Sequence, residues 1–170
     1  MMTELLSPAG NINALQRAVH AGADAIYLGG LSFGARAYAA NFSYDELEQA
    51  INYAHTYGVK IYVTVNTLVY QSEKEEWLRH VARLCELGAD ALIMQDAGMV
   101  DQVRQRWPEM PIHASTQMHN HSDAALEYVR SLGAVRAVLA REMTIEQIKK
   151  LRCPIEKEVF VHGALCIGSS

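Results

Sequence analysis

A chain of 170 residues, half of them hydrophobic and 20% charged, is long enough for one domain with a real core and excludes a disordered or low-complexity protein. Its formal net charge of -4, from 15 Lys and Arg against 19 Asp and Glu, argues against a strongly basic nucleic-acid surface in this stretch. No apolar run approaches the roughly 18 residues of a membrane span. No basic region followed by an apolar stretch opens the chain. Three widely spaced cysteines, Cys85, Cys153 and Cys166, speak against a disulfide framework and make a reducing cytoplasm the expected location.

The elements follow in chain order. A first short strand is expected at Glu4–Leu6. An echo then recurs: A-G-A-D-A-I-Y-L-G at 21–29, Y-G-V-K-I-Y-V-T-V-N at 57–66, L-G-A-D-A-L-I-M-Q-D at 87–96 and L-G-A-V-R-A-V-L-A-R-E at 132–142. Each copy opens on a glycine suited to closing a helix, at Gly22, Gly58, Gly88 and Gly133. Each continues into an apolar run of the kind that forms a strand buried on both faces. Further strands are expected at Ile112–Ala114 and Glu158–Val161. Helices fill the gaps. Ser43 to Glu46, Ser72 to Glu75 and Thr144 to Gln147 each fit a capping box. Leu47, Ala50, Ile51 and Ala54 form one apolar stripe, and Trp77, Val81, Leu84 and Cys85 form the next.

About seven strands alternating with six helices imply parallel pairing and right-handed crossovers. The first strand runs into Ser7-Pro-Ala-Gly-Asn11 rather than G-x-G-x-x-G, so the dinucleotide fingerprint is missing. The spacing favours a (β/α)8 barrel of TIM type over an open sheet, cut short after about seven strands. A full barrel needs about 250 residues. With no linker visible, residues 1–170 read as a single, incomplete barrel domain. The first and last strands would then have open edges through which copies of the chain associate.

Active sites of such barrels lie at the carboxyl ends of the strands. The apolar runs end at Ser7, at Gly29-Gly30, at Thr64 and Asn66, at Gln95-Asp96, at Ser115-Thr116-Gln117, at Arg141-Glu142 and at His162 with Cys166. Asn66, Gln95, Asp96, Gln117, Arg141, Glu142 and His162 are therefore the candidate catalytic residues. Several have plainer readings: Asp96 as a helix cap, and Arg141-Glu142 as an ion pair. No C-x-x-C, H-E-x-x-H or G-x-x-x-x-G-K-[ST] is present. His113, His119 and His121 cluster loosely, without a carboxylate or thiol at ligand spacing, and read as loop histidines. Cys85 belongs to a core stripe and Cys153 to a loop. Cys166 reads as a buried thiol, a nucleophile paired with His162, or a cluster ligand.

E-L-L-S-P-A-G-N at 4–11, G-A-D-A-I-Y-L-G-G at 22–30, F-G-A-R-A at 33–37, Y-V-T-V-N-T at 62–67, D-A-L-I-M-Q-D-A-G at 90–98, H-A-S-T-Q-M at 113–118, V-L-A-R-E at 138–142 and V-F-V-H-G-A-L-C at 159–166 together resemble the collagenase-like proteins of peptidase family U32. The F-G-A-R-A and H-A-S-T-Q stretches look most like the branch that hydroxylates a cytidine of 23S ribosomal RNA. The family name implies a peptidase. Its bacterial members imply oxygen-independent hydroxylation, of a tRNA uridine, an rRNA cytidine or ubiquinone precursors. The resemblance also implies a [4Fe-4S] cluster held by four cysteines, with prephenate as oxygen source and RNA as partner. Cys166 matches the first cluster ligand, while Cys85 and Cys153 match none. Ser7, Arg36, Ser115 and Arg141 are the candidate substrate-binding residues, Arg141 being suited to a carboxylate such as prephenate's.

Three readings follow: the amino-terminal portion of an RNA hydroxylase, a peptidase, and a structural fragment without activity. The first is favoured. On it the other three cluster ligands and most RNA affinity lie outside these residues, and the chain alone is expected to be inactive.

Overall fold

The computed structural model describes residues 3–34 and 41–163. Among them run seven strands and six α-helices in alternation: β1 (Leu6–Pro8), α1 (Ile12–His20), β2 (Ala25–Gly29), α2 (Tyr44–Thr56), β3 (Lys60–Val65), α3 (Lys74–Leu87), β4 (Ala91–Met94), α4 (Ala97–Arg106), β5 (Ile112–Ala114), α5 (Asp123–Ser131), β6 (Arg136–Val138), α6 (Ile145–Ile148) and β7 (Glu156–Glu158). The architecture is α/β, of truncated (β/α)8-barrel type, as the sequence pattern predicts. Two compact units divide the chain, Met1–Leu92 and Ile93–Ser170. No described helix is long and apolar enough to cross a membrane.

In the first unit β1, β2 and β3 pair in parallel in chain order, with Leu6 opposite Ala25 and Ala25 opposite Lys60. Leu15 of α1, Leu47 and Ile51 of α2, and Trp77 and Leu84 of α3 are fully buried, as are Ile26 and Ile61 in the strands. In the second unit β5, β6 and β7 repeat the arrangement, with His113 opposite Arg136 and Arg136 opposite Glu156. Met94, Ile112 and Leu126 are its largest fully buried side chains.

The sequence echo has a mechanical explanation. Gly22, Gly58, Gly88 and Gly133 all have φ between 72° and 99°, a left-handed conformation that other residues adopt at a cost. Two residues later the backbone N–H donates to a carbonyl at or just before the start of the preceding strand. The bonds are Asp24 to Leu5, Lys60 to Asp24, Asp90 to Ile61 and Val135 to Ile112, all at 2.9–3.1 Å. Where that residue is aspartate, its side chain adds a second latch. Asp24 Oδ2 accepts from the Leu5 N–H and Asp90 Oδ2 from the Ile61 N–H, both at 2.7 Å. Asp90 Oδ2 also lies 2.9 Å from His55 Nε2 on α2. The Gly-Ala-Asp triplet thus ends a helix, turns the chain and sets the register of a parallel strand. Asp90→Ala is expected to lower stability by about 1–2 kcal/mol, read as a lower urea midpoint at unchanged slope.

The helix starts agree with the sequence at Ser43–Glu46 and Thr144–Gln147, where both capping boxes form. The box expected at Ser72–Glu75 does not. The residue before α3 is Glu73, which has a helical backbone conformation and provides no side-chain cap. The Glu73 carboxylate instead accepts from the Tyr70 N–H at 2.9 Å and closes the preceding turn.

Both terminal strands are shifted from their expected places. Ladder pairing of β1 begins at Leu6 because the Leu5 N–H and C=O are already engaged by Asp24. Strand β7 is Glu156–Glu158, ahead of the apolar Val159-Phe160-Val161. Buried Arg136 on β6 draws it there, reaching Glu156 at 3.0 Å and Glu158 at 3.6 Å. Val161, by contrast, is 87% exposed. Each of these two strands has only three residues, one containing Pro8, which lacks an N–H, and the other alternating Glu156, Lys157 and Glu158. Short, proline-bearing or charged edges are poor templates for another strand, which weakens the case for self-association through them.

Cys153 lies in its loop as expected, with its side chain buried, while Cys85, expected in the core stripe, is only half-buried on α3.

Candidate functional site at the strand ends

The second unit holds most of the residues that the sequence points to. The Ser115 N–H donates to the Met94 carbonyl at 2.7 Å, so the end of β5 is fastened to the end of β4. Ser115 itself is buried, and its Oγ accepts from the Gln117 N–H at 3.4 Å, starting a single 3-10 turn over Thr116–Met118. That turn leaves the Gln117 side chain exposed. Thr116 Oγ1 donates to the Leu139 carbonyl at 3.3 Å, tying the same turn to the end of β6.

Asn120 completes the assembly, and sequence reasoning missed it. It is 0% exposed. Its Nδ2 donates to the carbonyls of Ser115 and Val138 at 2.9 Å and of Ala114 at 3.3 Å. The backbone carbonyl of Asn120 accepts from the Ala140 N–H at 3.1 Å. One amide thus grips the carboxyl ends of β5 and β6. The approach is made through His119, whose φ is 58°. The only available signal was an Asn in the loop following a strand, within Met-His-Asn-His, a segment read for its histidines.

Arg141 follows β6 and is exposed, its guanidinium carbon 4.5 Å from the centroid of the Phe160 ring. Stacking on an aromatic face orients a guanidinium while leaving its N–H donors available for a carboxylate or phosphate. Glu142 and His162 are exposed in the loops after β6 and β7. Gln95 is half-buried directly after β4. Asp96 caps α4, its Oδ1 accepting from the Met99 N–H at 3.1 Å. The plainer reading of Asp96 is therefore realised, whatever else that carboxylate does.

In the first unit, half-buried Ser7 lies within β1, opposite Ile26. Asn66, also half-buried, directly follows β3. Arg36 and Cys166 lie outside the described residues. The loose histidine cluster resolves into different environments: His113 is buried in β5, whereas His119 and His121 are exposed, with His121 Nδ1 2.6 Å from the His119 carbonyl.

The described residues do not fit a metal cluster. No group of three or more His, Cys, Asp or Glu side chains among them is arranged to hold a metal ion. The Cys85 thiol is pushed up to about 11 by burial, the opposite of what a thiolate ligand needs.

A missed group also occurs in the first unit. His80 of α3 is 3% exposed, and burial lowers its pKa to about 4, so the ring is neutral. Its Nδ1 lies 2.7 Å from the Tyr44 hydroxyl. Its place on the buried stripe beside Trp77 and Val81 was the only sequence signal.

Fold and polar strand ends together define an α/β protein of TIM-barrel type, with hydroxyl, amide, carboxylate and guanidinium groups at the carboxyl ends of its strands. The sequence profile of peptidase family U32 matches residues 10–170, and the chain belongs to that family. It is 39% identical over 170 residues to the tRNA hydroxylation protein P of Escherichia coli, with 98% of this chain and 38% of the relative covered. It is 38% identical over 169 residues to the 23S rRNA 5-hydroxycytidine synthase of the same organism, covering 98% of this chain and 25% of that one. An uncharacterized protease of Methanocaldococcus jannaschii is 36% identical, with 100% and 43% covered. The chain therefore spans less than half the length of these relatives. The solved structure of the U32 peptidase Mk0906 superposes with a TM-score of 0.73 at 15% identity, over 93% of this chain and 67% of that one. A phosphoenolpyruvate phosphomutase from Streptomyces platensis gives 0.66 at 17% identity, over 94% and 68%. These two likenesses concern the fold alone.

Proposed function

We propose that this chain is the barrel portion of an enzyme that hydroxylates a pyrimidine of tRNA or ribosomal RNA in the cytoplasm without molecular oxygen. The observation that carries the reading is the near-equal identity, along 98% of the chain, to a tRNA hydroxylation protein and to an rRNA hydroxycytidine synthase. Gln95, Ser115, Gln117, Arg141, Glu142 and His162 are the proposed site residues of the second unit, and Ser7 and Asn66 those of the first. Arg141, held on Phe160, suits the carboxylate of a co-substrate such as prephenate. Asn120 keeps the Ser115–Gln117 turn in place.

A [4Fe-4S] cluster is part of this proposal for the complete enzyme. Cys166 is its candidate ligand here, and the remaining thiolates would come from outside the described residues, since a cluster ordinarily needs four. RNA affinity is likewise assigned mainly to the complete enzyme, given the acidic balance of this chain.

The test is nucleoside mass spectrometry of tRNA and 23S rRNA from cells with and without the intact gene. Deletion is expected to abolish one pyrimidine nucleoside heavier by one oxygen atom, and the gene carrying Arg141→Ala should restore little of it. Unchanged nucleosides would refute the proposal. The peptidase reading draws support from the family name and from the archaeal relative called a protease. Gelatin cleavage by the complete protein that disappears in Cys166→Ala would favour it.

A further inference from the structure

We propose that a cavity in the first unit, between Ser32 and Phe33 after β2, the start of α2 and helix α3, binds one unpaired nucleotide of an RNA strand. The proposal rests on the RNA reading above and adds a contact separate from the strand-end residues.

The cavity has a volume of about 330 Å³, within the range of small-ligand sites. Its inner wall is the buried His80 ring, whose Nε2 has no hydrogen-bond partner among the described residues. A buried polar atom left unpaired is costly in a purely structural wall. The rings of Phe33 and Tyr44 each lie 5.7 Å from that of His80 and line the same space. Phe33 is held there with φ at 59°, a strained conformation for an aromatic residue. The Thr67 hydroxyl secures it by donating to the Phe33 carbonyl at 3.1 Å.

The charged residues at the cavity are Glu76, Arg79 and Arg83. Arg83 is tied to Glu86 at 3.1 Å. Arg79 is exposed and has no ion-pair partner among the described residues. Aromatic faces beside an available arginine are the combination that takes a base by stacking and its phosphate by charge. Glu76 narrows the choice. Its carboxylate disfavours a simple anion, but it accepts from the exocyclic amine of cytosine, adenine or guanine.

Fluorescence anisotropy with a labelled, unstructured RNA oligonucleotide at low salt tests the assignment on the 170-residue chain and on the complete protein. The complete protein is expected to bind. Phe33→Ala should weaken binding about tenfold, as loss of one stacked base does. Arg79→Ala, at an exposed position, should weaken it and flatten the salt dependence by about one counterion. Arg130→Ala, at an ion-paired surface arginine elsewhere, should leave it unchanged. Circular dichroism checks that the variants fold, and Tyr44→Phe, which keeps the ring, should stay within a few-fold of wild type.

Equal affinity of wild type, Phe33→Ala and Arg79→Ala would overturn the proposal. So would absence of RNA binding by the complete protein, or binding of free CMP or AMP as tightly as the oligonucleotide. The mass-spectrometric test is separate. RNA hydroxylation that depends on the gene, together with unaltered binding in both variants, would remove the cavity from the account and leave the enzymatic reading standing.

Discussion

Replacing Asn120 by Ala is expected to lower stability by about 3 kcal/mol, a large share of the 5–15 kcal/mol typical of a domain. The amide is fully buried and its nitrogen serves carbonyls at the ends of two strands. Truncation leaves those acceptors without their donor where water does not readily enter, and a buried unsatisfied group costs about 1–3 kcal/mol. Asn120→Asp should be no better, since it presents carboxylate oxygens where N–H donors stood. Urea unfolding followed by circular dichroism reads the loss as a lower midpoint. The effect should also reach the proposed site. Ser115 and Thr116 take their positions from the same loop, so hydroxylation by the complete enzyme should fall further in Asn120→Ala than the unfolded fraction explains. A variant with wild-type stability would mean that the two strand ends do not depend on this clamp.

Acidification provides the second large effect. Burial holds the folded-state pKa of His80 at about 4, against 6.5 for an ordinary histidine. Between those values the unfolded chain takes up a proton that the folded chain refuses. Stability from this group is therefore intact above about pH 6.5 and declines by up to 1.4 kcal/mol per pH unit as pH falls toward 4. The loss totals about 3 kcal/mol. The polar and charged groups around the ring are Tyr44, Arg79, Arg83 and Glu76, and burial is what disfavours the charged form. At lower pH another loss begins, because backbone hydrogen bonds hold Glu46 and Asp123 below the usual carboxylate range. Their contribution is present above their ordinary pKa values and disappears as pH drops through the lowered ones. Urea midpoints between pH 7 and 4.5 should fall in wild type more steeply than in His80→Gln. Parallel profiles would show that His80 takes up its proton as readily in the folded protein as in the unfolded chain.

The sequence was most informative where structure is made locally. Gly-Ala-Asp could be read as a helix end followed by a strand because both events occur within a few residues, and the register bonds of Asp24 and Asp90 explain the repetition. Hydrophobicity misled at β7, where the apolar segment 159–161 is partly or largely exposed and charged Glu156 and Glu158 are drawn in by buried Arg136. That pull comes from another strand and leaves no trace in the local pattern. Asn120 and His80 were missed for the same reason. Asn120 serves carbonyls as far away as Val138, and His80 meets an aromatic partner 36 residues earlier. Arg141 was located correctly after its strand, but its seat on Phe160 depends on a loop that pairing alone does not specify.

The register latch also bears on how the protein is made. Each latched strand looks back to a strand synthesised earlier, and the paired residues in the ladders are roughly 20 to 35 positions apart. None of those contacts waits for a segment much further downstream. As the chain leaves the ribosome, a new strand emerges beside a partner already available, with the glycine turn and aspartate needed to align it. Assembly in order of translation follows, with the amino-terminal unit able to become compact before the next is complete. Ribosome-stalled nascent chains cut at successive lengths would then gain protease resistance in steps, each following the exit of another Gly-Ala-Asp or its equivalent.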